Sequence, residues 1–262
     1  MKLIWMSDIH LNFLKEEARM AFYHRISQQA AYGDAVLITG DIAESDLLVP
    51  MVEEMLAACS VPIYFVLGNH DYYGSSVKAV RASVKHLHHL PHHPIELNKE
   101  TLLIGVDGWG DTRNGDYENS RLTMSDWLYI DDLRREYGKG MAALKKQLMK
   151  LADADARKLK RDVKKAIEQG YKRIIIATHV PPFEQACLYA GTKSTPSGLP
   201  FFSSKCLGTA ILPIAEQNSD IDFLWLSGHT HSRATYKPCD NLTVKVAEAQ
   251  YYHPQIEESI DV

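Results

Sequence analysis

Residues 2–10 read KLIWMSDIH, an apolar run that ends in an aspartate and a histidine. The same arrangement returns at 35–41, AVLITGD, and at 62–71, PIYFVLGNHD. Apolar residues recur at helical spacing between and after these runs, at 14–32, 46–58 and 75–87. Strand-like runs that alternate with helical segments predict crossover connections and an α/β fold, and the pattern alone favours one parallel sheet buried on both faces.

The later part of the chain returns to strands after a polar segment. Further strand-like runs lie at 102–106, 173–177, 223–226 and 242–246. Residues 107–172 are charge-rich and interrupted by glycines, and within them 141–168 has the pattern of one or two exposed helices. The long segment 181–206, with its Pro, Gly and Ser, is typical of a functional or disordered loop. We expect a single domain over residues 1–262 with a helical insertion at about 107–172.

The composition is that of an ordinary folded protein. The 262 residues are 45% hydrophobic and 24% charged, and the net charge of −4 lacks the basic character of a nucleic-acid binder. The four cysteines are too widely spaced for a disulfide framework or a zinc ribbon, so a reduced, cytoplasmic protein is expected. The sequence contains neither a signal-peptide layout nor an apolar run of about 18 residues, so we expect no membrane span.

Five hydrophilic motifs come directly after predicted strands. They are Asp8-Ile9-His10, Gly40-Asp41, Gly68-Asn69-His70-Asp71, Thr178-His179 and Gly228-His229-Thr230-His231. Open α/β sheets bind ligands beyond the carboxyl ends of their strands, so these motifs should converge. Asp and His suit Mn, Fe or Zn, and a carboxylate can contact both ions of a two-metal site. The glycines before Asp41, Asn69 and His229 indicate tight turns close to a ligand.

In order and position, these motifs resemble the five sequence blocks of the calcineurin-like metallophosphoesterase family, and the resemblance extends from residue 8 to residue 231. It implies a four-layer α-β-β-α sandwich, in which two mixed sheets are flanked by helices. This expectation replaces the single parallel sheet that the alternation of strands and helices favours.

The resemblance also implies roles for individual side chains and two divalent metal ions (Mn, Fe or Zn). It assigns Asp8, His10 and His231 to the first metal, Asn69, His179 and His229 to the second, and Asp41 to both. His70 would face the substrate, either as a general acid or as a group that stabilises the charged phosphoryl group. The implied reaction is hydrolysis of a phosphate ester by a hydroxide that bridges the two metals.

One departure from the family concerns the second motif. Protein Ser/Thr phosphatases of this family carry a G-D-x-x-D-R-G block, whereas here Glu44 stands at the second acidic position and Ser45 replaces the arginine. Glu44 is therefore a candidate to orient His70. The missing arginine argues against a protein phosphatase and favours the diesterase and small-substrate branches, which do not require it.

Several other residues have two readings. Tyr72 and Tyr73 could stack on a substrate ring or pack against the next loop, and Arg113 could bind a phosphate or be a surface charge. The histidines of 86–93 could form a further metal site, but a solvated helix end is favoured. The basic stretch 145–173 could follow a nucleic-acid backbone, yet its acidic residues favour a solvated helix face.

Three functions remain open from the sequence. The first is hydrolysis of a small-molecule or nucleotide phosphoester, including diesters. The second is a nuclease, which ranks lower because only 31 residues follow His231, where that branch adds a DNA-capping domain, and because the net charge is negative. The third is a non-catalytic binding scaffold. The sequence leaves the physiological substrate, the native metal and the oligomeric state undetermined.

Overall fold

The computed structural model describes residues 1–31 and 33–262. The strands are Lys2–Met6 (β1), Ala35–Thr39 (β2), Ile63–Val66 (β3), Ile95–Glu96 (β4), Thr101–Gly105 (β5), Arg173–Ala177 (β6), Leu188–Tyr189 (β7), Thr192–Lys193 (β8), Asp222–Ser227 (β9), Ala234–Cys239 (β10), Leu242–Val246 (β11) and Glu258–Asp261 (β12). The α-helices are Glu16–Gln29 (α1), Ser45–Ala58 (α2), Val77–Ser83 (α3), Asp126–Tyr129 (α4), Asp131–Tyr137 (α5), Met141–Glu168 (α6), Leu199–Phe202 (α7) and Lys205–Gln217 (α8). The helix predicted at 14–32 corresponds to α1, and its last position, Tyr32, lies outside the described residues.

The strands form two large mixed sheets rather than one parallel sheet. The first has the order β12-β1-β2-β3, and the second has the order β10-β11-β9-β6-β5-β4. The central strands of each sheet are parallel, whereas β12, β4 and β10 join the edges in antiparallel fashion. The single parallel sheet favoured by the alternation is therefore wrong, and the two mixed sheets implied by the resemblance are confirmed.

Alternating side chains explain how the two sheets pack. In β1, Leu3 and Trp5 belong to a buried cluster that both sheets share, while Ile4 and Met6 face the cluster formed with α1, α2 and α3. The outer face of the second sheet packs in the same way against α6 and α8. Because the central strands are covered on both faces, they are apolar throughout. Such strands read alike whether a chain builds one sheet or two.

The prediction of helix at 141–168 is confirmed, because one helix, α6, spans these residues, and its Lys and Arg residues form the solvated face that was favoured. The opposite face is buried, so the helix is amphipathic rather than exposed on all sides. Its first half places Leu144 and Leu148 in the cluster of the first sheet, and its second half places Leu159 and Val163 in the cluster of the second. Leu144, Leu148 and Leu159 are spaced so that they lie on one face of the helix, whereas the intervening Lys and Arg residues lie on the other face. Within the described residues, no helix combines the length and the apolar character needed to cross a bilayer.

Candidate metal centre

The carboxyl ends of five parallel strands meet at one edge of the sandwich. Five of the side chains predicted as metal ligands lie there on backbone with positive φ: Asp8 at 51°, His10 at 40°, Asp41 at 53°, His229 at 71° and His231 at 53°. This left-handed conformation costs about 1–3 kcal/mol for a residue other than glycine and clusters at functional sites. Backbone hydrogen bonds hold it, because the Asp8 and His10 amides donate to the Gly40 and Asp41 carbonyls at 3.0 Å.

The first donor set consists of Asp8, His10, Asp41 and His231. One ligand atom from each of these side chains lies within 4.8 Å of all the others. His231 Nε2 is 3.2 Å from Asp8 Oδ1, and His10 Nε2 is 3.7 Å from Asp41 Oδ2. Two carboxylates and two imidazoles at this spacing are a donor set that suits Mn, Fe or Zn.

The hydrogen bonding of His10 shows that this set fits a cation. Both of its ring nitrogens are buried and have no hydrogen-bond partner among the described residues. A buried polar atom without a partner costs about 1–3 kcal/mol, and native proteins rarely leave one unexplained. A divalent cation between these side chains would satisfy the nitrogen that faces Asp41.

The second donor set consists of Asp41, Asn69, His179 and His229. His179 Nε2 lies 3.0 Å from Asn69 Oδ1, 3.1 Å from His229 Nδ1 and 3.4 Å from Asp41 Oδ1. Asp41 thus turns Oδ1 toward this set and Oδ2 toward the first set. That is the arrangement a carboxylate needs in order to be shared between two cations.

Three hydrogen bonds orient the ligands of the second donor set. Asn69 Nδ2 donates to Asp126 Oδ1 at 2.9 Å, which turns the amide oxygen toward His179. His179 Nδ1 lies 2.9 Å from the Thr39 carbonyl, and His229 Nε2 lies 3.3 Å from the Phe201 carbonyl. Since a carbonyl can only accept, each imidazole donates there and presents its other nitrogen to the site.

These supporting groups were not found by sequence reasoning. Asp126 lies in the segment 107–172, where no motif marks it, and a carbonyl such as that of Phe201 leaves no trace in the residue type. Asp71, part of the third motif, also supports the site. Its carboxylate accepts hydrogen bonds from the backbone amides of Gly68, Asp41, Ile42 and Ala43 at 2.7–3.0 Å. It therefore ties the second motif to the third.

Two glycines of the motifs are required by close approach. A β-carbon at Gly68 would collide with the carboxylate and the backbone nitrogen of Asp41, and one at Gly228 would collide with the side chains of Ser7 and Asp8. Ser7 Oγ in turn donates to Asp8 Oδ2 at 2.6 Å. The glycines before Asn69 and His229 are thus required by close approach of the backbone, and Gly40, before Asp41, has a φ of 92°, which favours glycine.

The pKa values of the two aspartates in the cluster are shifted in opposite directions. Burial raises the pKa of Asp41 well above its ordinary value, and repulsion by Asp8 and Asp71 adds to this. For Asp8, burial acts in the same direction, but attraction to His179, His231 and His10 outweighs it and lowers the pKa. Asp8 is therefore the permanent anion of the centre, and Asp41 retains a proton more readily until a cation replaces it.

The pKa values of the histidines are also shifted in opposite directions. Burial lowers the pKa of His10 to about 3 and that of His229 to about 3, so both imidazoles are neutral at pH 7 and have a lone pair to donate. The pKa of His231 is raised, because its hydrogen bond and charge interaction with Asp8 outweigh the effect of burial.

His70 lies next to the first donor set. Its ring centroid is 4.7 Å from that of His10 and 4.3 Å from that of Tyr73, and its Nδ1 is buried without a hydrogen-bond partner among the described residues. Burial, together with the proximity of His179, lowers the pKa of His70 to about 4. Among the described residues, Glu44 makes no hydrogen bond to His70, whose backbone amide donates instead to Asp41 Oδ1 at 2.9 Å.

The two predicted substrate contacts are engaged elsewhere. Tyr72 is fully buried, and its hydroxyl donates to Asp107 Oδ2 at 2.6 Å, so it packs inside the protein and cannot stack on a ligand. Arg113 is held between Asp111 and Asp153 at 3.1 and 2.8 Å. Its guanidinium is already neutralised by two carboxylates, which removes the reason to assign it to a phosphate.

The histidines of 86–93 do not converge on a shared point. His89 is fully buried and its Nε2 lies 2.7 Å from Asp107 Oδ1, whereas His86 is exposed and lies 3.3 Å from Glu53. The favoured reading of a solvated helix end holds for His86 and is wrong for His89. Among the described residues, no histidine of 86–93 belongs to the group of side chains with metal-ligand spacing, which is the first donor set.

Comparison with known proteins agrees with this geometry. A sequence model of calcineurin-like phosphoesterases matches residues 1–233. Curated relatives include UDP-2,3-diacylglucosamine hydrolases from Yersinia enterocolitica and Yersinia pestis, each 32% identical over 82 residues, which are 28% of this chain and 34% of the relative. The chain thus matches about a third of the length of these relatives.

Two solved structures share the fold. A dimetal phosphatase from Danio rerio has a TM-score of 0.59 at 14% identity, covering 94% of this chain and 87% of its own. A phosphopantetheinyl hydrolase from Mycobacterium tuberculosis has a TM-score of 0.57 at 13% identity, covering 95% of this chain and 89% of its own.

Proposed function

Because this chain belongs to the calcineurin-like phosphoesterase family and is thus a metal-dependent phosphoesterase, we propose that it hydrolyses a small-molecule or nucleotide phosphoester with two divalent cations, Mn, Fe or Zn. The observation that carries the proposal is the position of Asp41, which turns one carboxylate oxygen toward each donor set. Two cations bound there would supply positive charge that stabilises the phosphoryl group. They would also lower the pKa of a water, so that hydroxide is available to attack phosphorus at neutral pH.

The side chains of the protein have separate tasks in this proposal. Asp8, His10 and His231 hold one end of the centre, Asn69, His179 and His229 hold the other, and Asp41 joins them. Asp126, Thr39 and Phe201 fix the orientation of the second group. The strained backbone places the ligands before any cation binds, so little reorganisation is needed.

His70 has one of two roles, general acid or stabiliser of charge, and its environment favours the second. With a pKa of about 4, the imidazole is neutral at pH 7 and has no spare proton to give to a leaving group. A neutral imidazole still donates an N–H hydrogen bond, which stabilises charge that develops on a phosphoryl oxygen. We therefore assign His70 to hydrogen-bond donation rather than proton transfer.

The curated relatives support a nucleotide-linked substrate within this proposal. They are named for UDP-2,3-diacylglucosamine, which supports a nucleotide-linked phosphoester, although the similarity covers 28% of this chain. The four cysteines remain free thiols, which is consistent with the cytoplasmic location that we propose.

The test is hydrolysis by protein that has been stripped of metal and reloaded with Mn²⁺, Fe²⁺ or Zn²⁺ singly. Bis-p-nitrophenyl phosphate and p-nitrophenyl phosphate report diesterase and monoesterase activity, and single-stranded DNA reports a nuclease. We expect nitrophenol release that a chelator abolishes and metal restores. Binding of two metal equivalents without hydrolysis of any substrate would point to a scaffold and overturn the proposal.

A further inference from the structure

Three aromatic side chains, one from the start of the chain and two adjacent ones from near its end, lie together beside the first donor set. We call Phe13, Tyr251 and Tyr252 the aromatic shelf. The ring centroid of Tyr251 lies 4.6 Å from that of His10 and 4.9 Å from that of His231. Phe13 lies 5.5 Å from His10 and 5.5 Å from Tyr251, and Tyr252 lies 5.6 Å from Phe13. The shelf is therefore continuous with the metal ligands.

The two tyrosines of the shelf are exposed. Tyr251 is 41% exposed and Tyr252 is 64% exposed, and neither hydroxyl has a hydrogen-bond partner among the described residues. Phe13 is half-buried beneath them. Tyr252 also has a φ of 68°, a conformation that a bulky residue adopts only where its surroundings impose it. The loop between β11 and β12 thus holds two aromatic rings at the edge of the centre.

We propose that the aromatic shelf stacks on the nucleobase of a nucleotide substrate whose phosphate lies at the metal centre. This inference rests on the proposed function and names its substrate class. The order of the rings supports it, because Tyr251 touches metal ligands while Tyr252 lies one ring farther out, and a nucleotide likewise separates its base from its phosphate by one sugar.

The chemistry of the shelf also limits its selectivity. All three side chains present apolar ring faces, and stacking on such faces is tolerant of base identity because every base has a π-face. None of the three side chains carries an amide or a carboxylate that would read the edge of a base. We therefore expect a preference for nucleotides over base-free phosphates, with little discrimination among the four bases.

The test compares uridine monophosphate with ribose 5-phosphate, which differ by the base alone. Affinities for the Mn²⁺-loaded protein are measured by calorimetry, and hydrolysis of bis-p-nitrophenyl phosphate is followed in parallel. We expect the nucleotide to bind roughly 5- to 150-fold more tightly, the range that stacking of one base gives. Tyr252→Ala should reduce most of this preference and leave the affinity for ribose 5-phosphate unchanged.

Two variants serve as controls. Tyr252→Phe keeps the ring and should keep the preference, and since Phe and Ala both carry a β-carbon, they experience the same backbone strain. Tyr189→Ala removes another exposed tyrosine, on the β7–β8 hairpin, and should change neither affinity.

Equal binding of the two ligands, absence of nucleotide binding, or a preference that survives in Tyr252→Ala would each overturn the proposal. Its failure is distinguishable from failure of the proposed function. Metal-dependent hydrolysis without a nucleotide preference would refute only the role of the shelf. If no ester is hydrolysed but a nucleotide preference is present and is lost in Tyr252→Ala, the role of the shelf stands and the phosphoesterase proposal is refuted.

Discussion

The two halves of the metal centre are built differently. In the second donor set, hydrogen bonds to Asp126, Thr39 and Phe201 fix each of the ligands Asn69, His179 and His229. In the first, both ring nitrogens of His10 lack a partner among the described residues, and the side chain of His231 is 22% exposed. One half is prearranged by its neighbours, while the other borders the aromatic shelf and lacks such partners for His10. Each half has one partly exposed ligand, His231 in the first and Asn69 in the second, so the halves differ in how their ligands are oriented rather than in burial.

Asp41 is the element that the two halves share, and its replacement should have the largest effect. We expect Asp41→Ala to weaken both metal sites by more than about 100-fold, the upper range for loss of a supporting residue alone, and to abolish hydrolysis. Metal content by mass spectrometry and turnover of bis-p-nitrophenyl phosphate measure this. Asp46→Ala, an exposed aspartate of the same segment, is the control. Full occupancy of either site in Asp41→Ala would show that the halves do not share this ligand.

Loss of His70 should lower turnover without emptying either half. We expect His70→Ala to reduce kcat by roughly 10²–10³-fold, the effect of removing one positioned donor, while metal content stays within error of the wild type. The pH profile separates the two roles. A protonated acid with a pKa of about 4 would lose activity as the pH rises above 4, whereas a neutral donor gains activity as the pH rises through 4 and then keeps it. A wild-type kcat that falls steadily from pH 5 to pH 7 would restore the acid role.

Asp126 allows the second donor set to be weakened alone. We expect Asp126→Ala to lower metal affinity at the second donor set by about 10–100-fold, because the amide of Asn69 loses its orienting partner. Affinity at the first set should remain unchanged. A Mn²⁺ titration followed by electron paramagnetic resonance resolves the two sites, and Asp131→Ala, at the start of the next helix, is the matched control. Equal weakening at both sites would mean that Asp126 supports the fold rather than one ligand.

Proton release on metal binding gives the smallest but most selective signal. The pKa values of Asp41 and His231 are raised, so a larger fraction of each group is protonated as the pH falls. A cation that binds there must displace these protons. His229, with a pKa of about 3, is already neutral and releases none above pH 5. We expect proton release to increase from pH 8 to pH 5, as measured by calorimetry in buffers of different ionisation enthalpy. His231→Asn should reduce it, whereas His229→Asn should not, and the reverse result would exchange the roles of the two halves.

The sequence located the Asp and His side chains that cluster at the strand ends better than it predicted the architecture around them. The bounds expected for β6 and β11, 173–177 and 242–246, agree with the structure, because each is a short apolar run that stops at a turn. The edge strands β4, β10 and β12 were missed, since they are short or, like β10, contain a proline. The division into two sheets could not be derived from alternation, because strands buried on both faces have no period that assigns them to a sheet.

The supporting groups of the site had no signal of their own. Asp126 is one acidic residue among many in a charge-rich segment, and carbonyls act regardless of residue type. Tyr72 was chosen because it directly follows the third motif, and Glu44 because it stands at the second acidic position of the family's block. The structure turns Tyr72 into the interior and shows no hydrogen bond between Glu44 and His70 among the described residues, because position along a loop does not determine which way a side chain faces.

The left-handed backbone of the ligands has a consequence for the history of the molecule. Asp8, His10, Asp41, His229 and His231 occupy conformations that glycine or asparagine would adopt at lower energy. Selection for stability alone would favour replacing these residues, because each replacement would remove backbone strain, but it would also remove a ligand of the centre. Homologues that no longer catalyse the reaction should therefore lose these residues early, and homologues that keep all five should still be catalytic.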